Sequence, residues 1–150
     1  VADAGEVLLL NGPNLGRLGT RRPEVYGTTT LPEVVDDLAA LLAGHGLGLR
    51  AVQDECEGHL IKAVHAAADG GCAGAIVNPG ALMMNGWGLH DALEDFPPPW
   101  IEVHISNIWA REPFRHTSVL SPLADGVICG LGVEGYRLAA LALARKAGRA

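Results

Sequence analysis

Glu102 and His104 lie two residues apart at the end of the apolar run Trp100 to Ile105. In an extended strand, residues two apart face the same side, so the carboxylate stands beside the imidazole. A carboxylate there orients the ring for proton transfer. It also needs a partner of its own inside so apolar a run. Other reactive types follow other apolar runs: Asn11 and Asn14 after Val7–Leu10, Asn78 after Ala75–Val77, and Ser106, Arg111 and Arg115 after His104. A charged, glycine-containing stretch, residues 16–29, adds Arg21, Arg22 and Tyr26. Each has a bland reading alone. Asparagines serve turns, a lone histidine fits a core, arginines form solvated faces, and a loop tyrosine is only that. Together they offer carboxamides, guanidiniums, a hydroxyl, a phenol and an imidazole. That set suits a small polar anion and acid–base chemistry.

The elements that must position them follow from the apolar patterning. Runs at 7–10, 49–52, 75–77, 100–105 and 127–129 are short, and several are apolar on both faces. Such runs suit strands of a parallel sheet covered on both sides. Between them, Leu31, Val34, Val35, Leu38, Leu41 and Leu42 form a helical stripe. Thr30 and Glu33 form its capping box, with Pro32 in the first turn. Leu60, Ile61, Val64, Ala67 and Ala68 form a second stripe. Further helices are predicted over 88–94 and 133–146. The alternation specifies an α/β domain with a central parallel sheet and helices on both faces. Ligands in such sheets bind beyond the carboxyl ends of the strands, where the candidates above lie. Residues 16–29 lack apolar periodicity and are predicted to be a lid loop over those ends.

Composition narrows the function classes. The sequence has 150 residues, 49% hydrophobic and 19% charged, which predicts a single domain over 1–150 with a sizeable core and excludes wholesale disorder. A net charge of -6 argues against nucleic-acid and anionic-membrane partners. Cys56, Cys72 and Cys129 are sparse and unclustered, so they read as structural and form neither a disulfide framework nor a zinc site. The histidines show no ligand spacing, so no metal is expected. No apolar run approaches the roughly 20 residues of a membrane span, and Val1–Glu6 lacks signal-peptide character, so the expectation is cytoplasmic. Gly130–Gly135 matches GxGxxG, but no later strand supplies the acidic residue of a dinucleotide site, so it reads as a tight turn.

Leu10–Gly27, containing Asn11, Asn14, Arg21 and Tyr26, resembles the N-terminal signature of the type II 3-dehydroquinate dehydratases (type II dehydroquinases). Ile101–Asn107 with Arg111–Ser118 resembles their second signature, and Asp125–Tyr136 their C-terminal segment. The resemblance implies a flavodoxin-like three-layer sandwich around a central five-stranded parallel sheet. It implies a lyase that dehydrates 3-dehydroquinate in the trans sense to 3-dehydroshikimate, through an enolate, in the shikimate or quinate route. Neither cofactor nor metal is implied. The implied assembly is a homo-oligomer, a dodecamer of trimers. Tyr26 falls on the base, Arg21 on the lid arginine, His104 on the general acid and Glu102 on its orienting partner. Asn14 falls on the holder of a water at the enolate. Asn78, Ile105 and Ser106 fall on the carboxylate site, and Arg115 on a ring-hydroxyl contact. Asp91 falls on a residue that reaches the neighbouring subunit. These roles make physical sense: an ordinary tyrosine is a poor base at neutral pH, and guanidiniums nearby, Arg21 and in the folded site Arg115, favour a phenolate.

The sequence departs from that pattern after Asn78-Pro-Gly. Met84 stands where the family has a histidine, Gly86 and Trp87 replace a small hydroxyl and an aliphatic residue, and Gln53-Asp-Glu55 replaces Gln-Ser-Asn. Methionine donates no hydrogen bond, so a buried ring hydroxyl there loses about 1–3 kcal/mol. This leaves an alternative, a paralogue using the same acid–base set on another cyclic ketone in secondary metabolism. A third reading, a non-catalytic ligand-binding module, is opposed by the intact Tyr26, Arg21 and His104.

Overall fold

The computed structural model describes residues 5–149. Its strands are β1 Glu6–Asn11, β2 Gly48–Gln53, β3 Gly74–Asn78, β4 Trp100–His104 and β5 Gly126–Cys129. Its helices are α1 Pro23–Tyr26, α2 Leu31–Ala43, α3 Glu57–Asp69, α4 Trp87–Glu94 and α5 Glu134–Lys146, with short 3₁₀ turns between. The strands form one five-stranded sheet in the order β2-β1-β3-β4-β5, every adjacent pair parallel. This is the flavodoxin-like order, whose direction of winding reverses between β1 and β3. Asn11 and Asn78 are register partners at that reversal.

Residues alternate between two cores. Val7 and Leu9 of β1, with Ile76, Ile101 and Val103, pack under α2 and α5 against Leu38, Leu42, Tyr136 and Leu143. Leu8 and Leu10, with Ala75, Val77 and Trp100, pack under α3 and α4 against Leu60, Val64, Leu89 and Leu93. The central strands are therefore apolar on both faces, as parallel strands covered by helices must be. The capping box at α2 is present in both halves: Glu33 N donates to Thr30 Oγ1 and Thr30 N to Glu33 Oε2.

The stretch 16–29 is more ordered than its pattern predicts. It holds a 3₁₀ turn at Leu15–Arg17 and the single helical turn α1, with Pro23 in the first-turn position. Leu15 and Leu18 are buried in the first core and tie its near end down. A four-residue helix is too short to show a 3.6-residue period.

Candidate active site

The carboxyl ends of β1, β3 and β4 frame a narrow cleft lined by Asn14, Arg21, Tyr26, Asn78, His104, Ile105, Ser106, Arg111 and Arg115, with Met83 in one wall. Its floor is made by two loops in close approach. A Cβ at Gly12 would lie 2.4 Å from Pro79 O, and one at Gly80, whose φ is +57, would crowd Pro13 O at 3.1 Å.

Glu102 and His104 are buried on one face of β4, and Glu102 Oε2 pairs with His104 Nε2. Glu102 Oε1 accepts from Ser118 Oγ at 3.1 Å and Ser121 Oγ at 3.0 Å. Ser118 Oγ itself accepts from the backbone N–H groups of Leu120 and Ser121. With those bonds filling its lone pairs, its own proton must point at Glu102. The buried carboxylate is thus fully partnered, and Nδ1 of His104 is the ring nitrogen left for the cleft.

Tyr26 ends α1. Arg111 Nη1 donates to its hydroxyl at 2.8 Å and to Ser106 Oγ at 3.3 Å. The guanidiniums of Arg21 and Arg111 lie 5.1 and 5.5 Å from the phenol ring centroid, within cation–π range. Among the described residues, Arg111 Nη2 is buried without a protein partner, a donor left over at the cleft. The second guanidinium at the phenol is therefore Arg111, not Arg115 as expected. Arg115 lines the same cleft, but its Nε donates to Glu112 Oε2 at 2.8 Å. It closes a 3₁₀ turn three residues beyond Glu112 and is drawn toward that carboxylate.

Asn14 takes a left-handed conformation, φ 71, which asparagine tolerates. Its N–H donates to Glu55 Oε2 at 2.9 Å, and Gln53 Nε2 donates to Glu55 Oε1 at 2.9 Å and to Gly12 O at 3.2 Å. The Asn14 N–H, then the Gln53 amide, hold the Glu55 carboxyl below its ordinary range. The departure at 53–55 thus braces the loop that carries Asn14, which its sequence did not disclose.

Asn78 is buried, its Nδ2 donating to Tyr136 Oη at 2.8 Å and its Oδ1 accepting from Gly80 N at 3.2 Å. Tyr136 Oη donates onward to Asn11 Oδ1 at 2.7 Å. Burial pushes the Tyr136 hydroxyl far above the usual phenol range, so it stays neutral. Sequence patterning missed Tyr136; a phenol on the core stripe of a helix was the available signal. The glycines of the GxGxxG match make a turn, with Gly130 at φ +88 and Gly132 at φ +62. They brace the end of β4: Gly130 N donates to His104 O and Gly132 N to Ile105 O.

Besides Glu102, buried behind His104, two candidates lie apart from the cleft lining. Asp91, on α4, is 77% exposed and bonds to its neighbour His90. Met84 is half-buried, and Met83 takes the place in the wall. Successive residues of a 3₁₀ turn point about 120° apart, and both lie in the turn Gly80–Met84. Among the described residues, His90, Asp91 and Glu94 form a group with metal-ligand atoms within 4.8 Å, outside the cleft. No described helix is long and apolar enough to cross a membrane.

Residues 5–144 match the family described as dehydroquinase class II. The chain is 53% identical over 142 residues to the 3-dehydroquinate dehydratase of Salinispora arenicola (strain CNS-205), covering 93% of this chain and 97% of that one. It is 47% identical over 141 residues to the catabolic 3-dehydroquinase of Pyricularia oryzae (strain 70-15), covering 93% and 90%. The crystal structure of type II dehydroquinase from Propionibacterium acnes superposes with a TM-score of 0.90 at 44% identity, covering 93% and 96%.

Proposed function

The chain belongs to the class II dehydroquinases, and from that premise we propose how its own residues dehydrate 3-dehydroquinate to 3-dehydroshikimate. Tyr26, as phenolate, removes the proton alpha to the ketone; the C–H electron pair becomes a C=C bond and the carbonyl π pair moves onto oxygen, giving an enolate. Arg111, with Arg21, holds the charge on the phenol oxygen before that step. Asn14 holds a water against the enolate oxygen, which lowers the barrier by stabilising charge where it develops. The enolate then collapses, the C–O bond breaks, and His104 Nδ1 protonates the departing hydroxyl as water. Glu102 balances the imidazolium and, with the serines, fixes its orientation. Asn78 with Ile105 and Ser106 holds the substrate carboxylate, and Arg115 a ring hydroxyl. Residues 16–29 close over the cleft and exclude water.

The observation that carries this reading is the phenol of Tyr26, gripped by Arg111 at 2.8 Å, in the same cleft as His104 with its carboxylate behind it. The test is to mix the protein with 3-dehydroquinate and follow the ultraviolet absorbance of the conjugated enone. Product should accumulate, and Tyr26→Phe should lower kcat by roughly 10²–10⁴-fold with binding retained. No product at high protein concentration sinks the proposal. The alternative of another cyclic ketone rested on Met84. It is not favoured, because Met84 stands off the cleft and relatives at about half identity carry the dehydratase name.

The assembly proposed is a homo-oligomer, a dodecamer of trimers, in which Asp91 reaches the neighbouring cleft. Exposed Trp87, Trp109 and Phe114 support a covering partner. The free state of Cys56, Cys72 and Cys129 supports a reducing, cytoplasmic setting. A biosynthetic shikimate role and a catabolic quinate role both use this reaction.

A further inference from the structure

Beneath the cleft floor, three buried polar side chains meet that take no part in proton transfer. Asn11 ends β1 and Asn78 ends β3, and Tyr136, from the first turn of α5, sets its hydroxyl between them. The direction of each bond follows from the donors available. Gly80 N occupies Asn78 Oδ1, so the carboxamide nitrogen must face Tyr136. Tyr136 Oη accepts that bond and sends its own proton to Asn11 Oδ1. The amide is therefore held against a flip from both of its ends. Among the described residues Asn78 Nδ2 makes this one side-chain bond, and a carboxamide nitrogen has two hydrogens. The other is left for the cleft, whose wall Asn78 forms. Burying polar groups at a sheet reversal is costly when apolar filler would serve, and a chain of side-chain hydrogen bonds rigidifies the groups it joins.

We infer that Tyr136 is a positioning residue: its hydroxyl locks the Asn78 carboxamide so that the free N–H faces the anionic group of the substrate. This rests on the reading of Asn78 as a holder of the substrate carboxylate. Tyr136→Phe keeps the ring that fills the core and removes only the hydroxyl. The readout is the Kd of 3-dehydroquinate, by calorimetry, for proteins that also carry Tyr26→Phe, so that turnover does not intrude.

Tyr136→Phe should weaken binding about tenfold, the scale of one hydrogen bond. Asn78→Ala should weaken it at least as much, and adding Tyr136→Phe to Asn78→Ala should change nothing further. An unchanged Kd in Tyr136→Phe overturns the inference. So does an equal loss in both backgrounds, which is what a purely structural role gives. Turnover by protein with Tyr26 intact is a separate result. A chain that binds but does not dehydrate removes the dehydratase reading and leaves the role of Tyr136 standing, whereas absence of binding removes both. Should Tyr136→Phe fail to fold, hydrogen exchange of the Asn78 side-chain amide in the unsubstituted protein decides. One protected proton is expected, and two protons exchanging at the rate of a free amide overturn the inference.

Discussion

Arg111 reaches the Tyr26 oxygen with one terminal nitrogen and keeps the other buried without a partner among the described residues. A donor so placed is oriented toward the phenol oxygen and has a second N–H group available to a bound substrate. Arg111→Ala should lower kcat by about 10²–10³-fold, the usual effect of removing one oriented donor from a developing charge. Arg111→Lys should restore only part of it, because a single ammonium replaces Nη1 at Tyr26 and Ser106 but supplies nothing in place of the buried Nη2. Steady-state kinetics of the two variants checks both statements. Ser118→Ala removes a donor to Glu102 and an acceptor for the Leu120 and Ser121 N–H groups. It should cost about 1–3 kcal/mol of folding stability and lower kcat, measured by denaturation and kinetics. Ser121→Ala, which leaves Ser118 in place, should cost less. Residue types at strand ends named most of this site in advance. What spacing could not do was choose between Arg111 and Arg115, because the choice depends on Glu112 lying 2.8 Å from Arg115 Nε but 3.8 Å from Arg111 Nε. Nor could it separate Met83 from Met84, which differ only by the rotation of a 3₁₀ turn.

The elements that hold these groups vary in how plainly their sequences announce them. Strands covered on both faces are continuous apolar runs, and α2 carries a capping box, so both are visible as patterns. The turn α1 is visible only as a proline after two arginines. Its start at Arg22 has φ 42, a left-handed conformation unfavourable for a long side chain, so the chain enters α1 under local strain. The loop after β1 depends on a carboxylate instead. The Asn14 N–H and the Gln53 amide hold Glu55 below the ordinary 4.5, so Glu55 contributes stability above that pH. That contribution is lost as pH falls through the lowered folded value. Asp54, lowered chiefly by the Cys56 N–H, behaves in the same sense at the start of α3. Glu55→Gln should therefore melt at a lower temperature than the unsubstituted protein at neutral pH, and the two should converge as pH falls below about 4.5. A constant gap from neutral to acid pH would show that Glu55 acts by shape and not by charge. The same variant, with Asn14 less firmly held, should lose kcat at neutral pH.

At the scale of the molecule, one sheet separates two cores, and the cleft opens where its winding reverses. Every group assigned to proton transfer belongs to one chain, which is why a single sequence discloses the reaction. Asp91 is the exception: 77% exposed on α4 and off the cleft lining, it can serve a site only in another copy. No pattern within one chain reveals such a residue; only the resemblance singled it out. Under the proposed assembly, the defect of Asp91→Ala falls on the neighbour's cleft, while the defect of Tyr26→Phe falls on the subunit's own. Each variant alone should be impaired, Asp91→Ala by about tenfold in kcat/KM, the scale of one charged contact. Co-expressed, they should form mixed assemblies in which an intact cleft on an Asp91→Ala subunit meets Asp91 from a Tyr26→Phe subunit. Specific activity per intact cleft should then rise above that of Asp91→Ala alone, and the gain should disappear on dilution to monomers, followed by sedimentation. Activity equal to the simple average of the two variants would show that subunits do not share a site. A fully active monomer would do the same, and Asp91 would then be a surface carboxylate paired with His90 and nothing more.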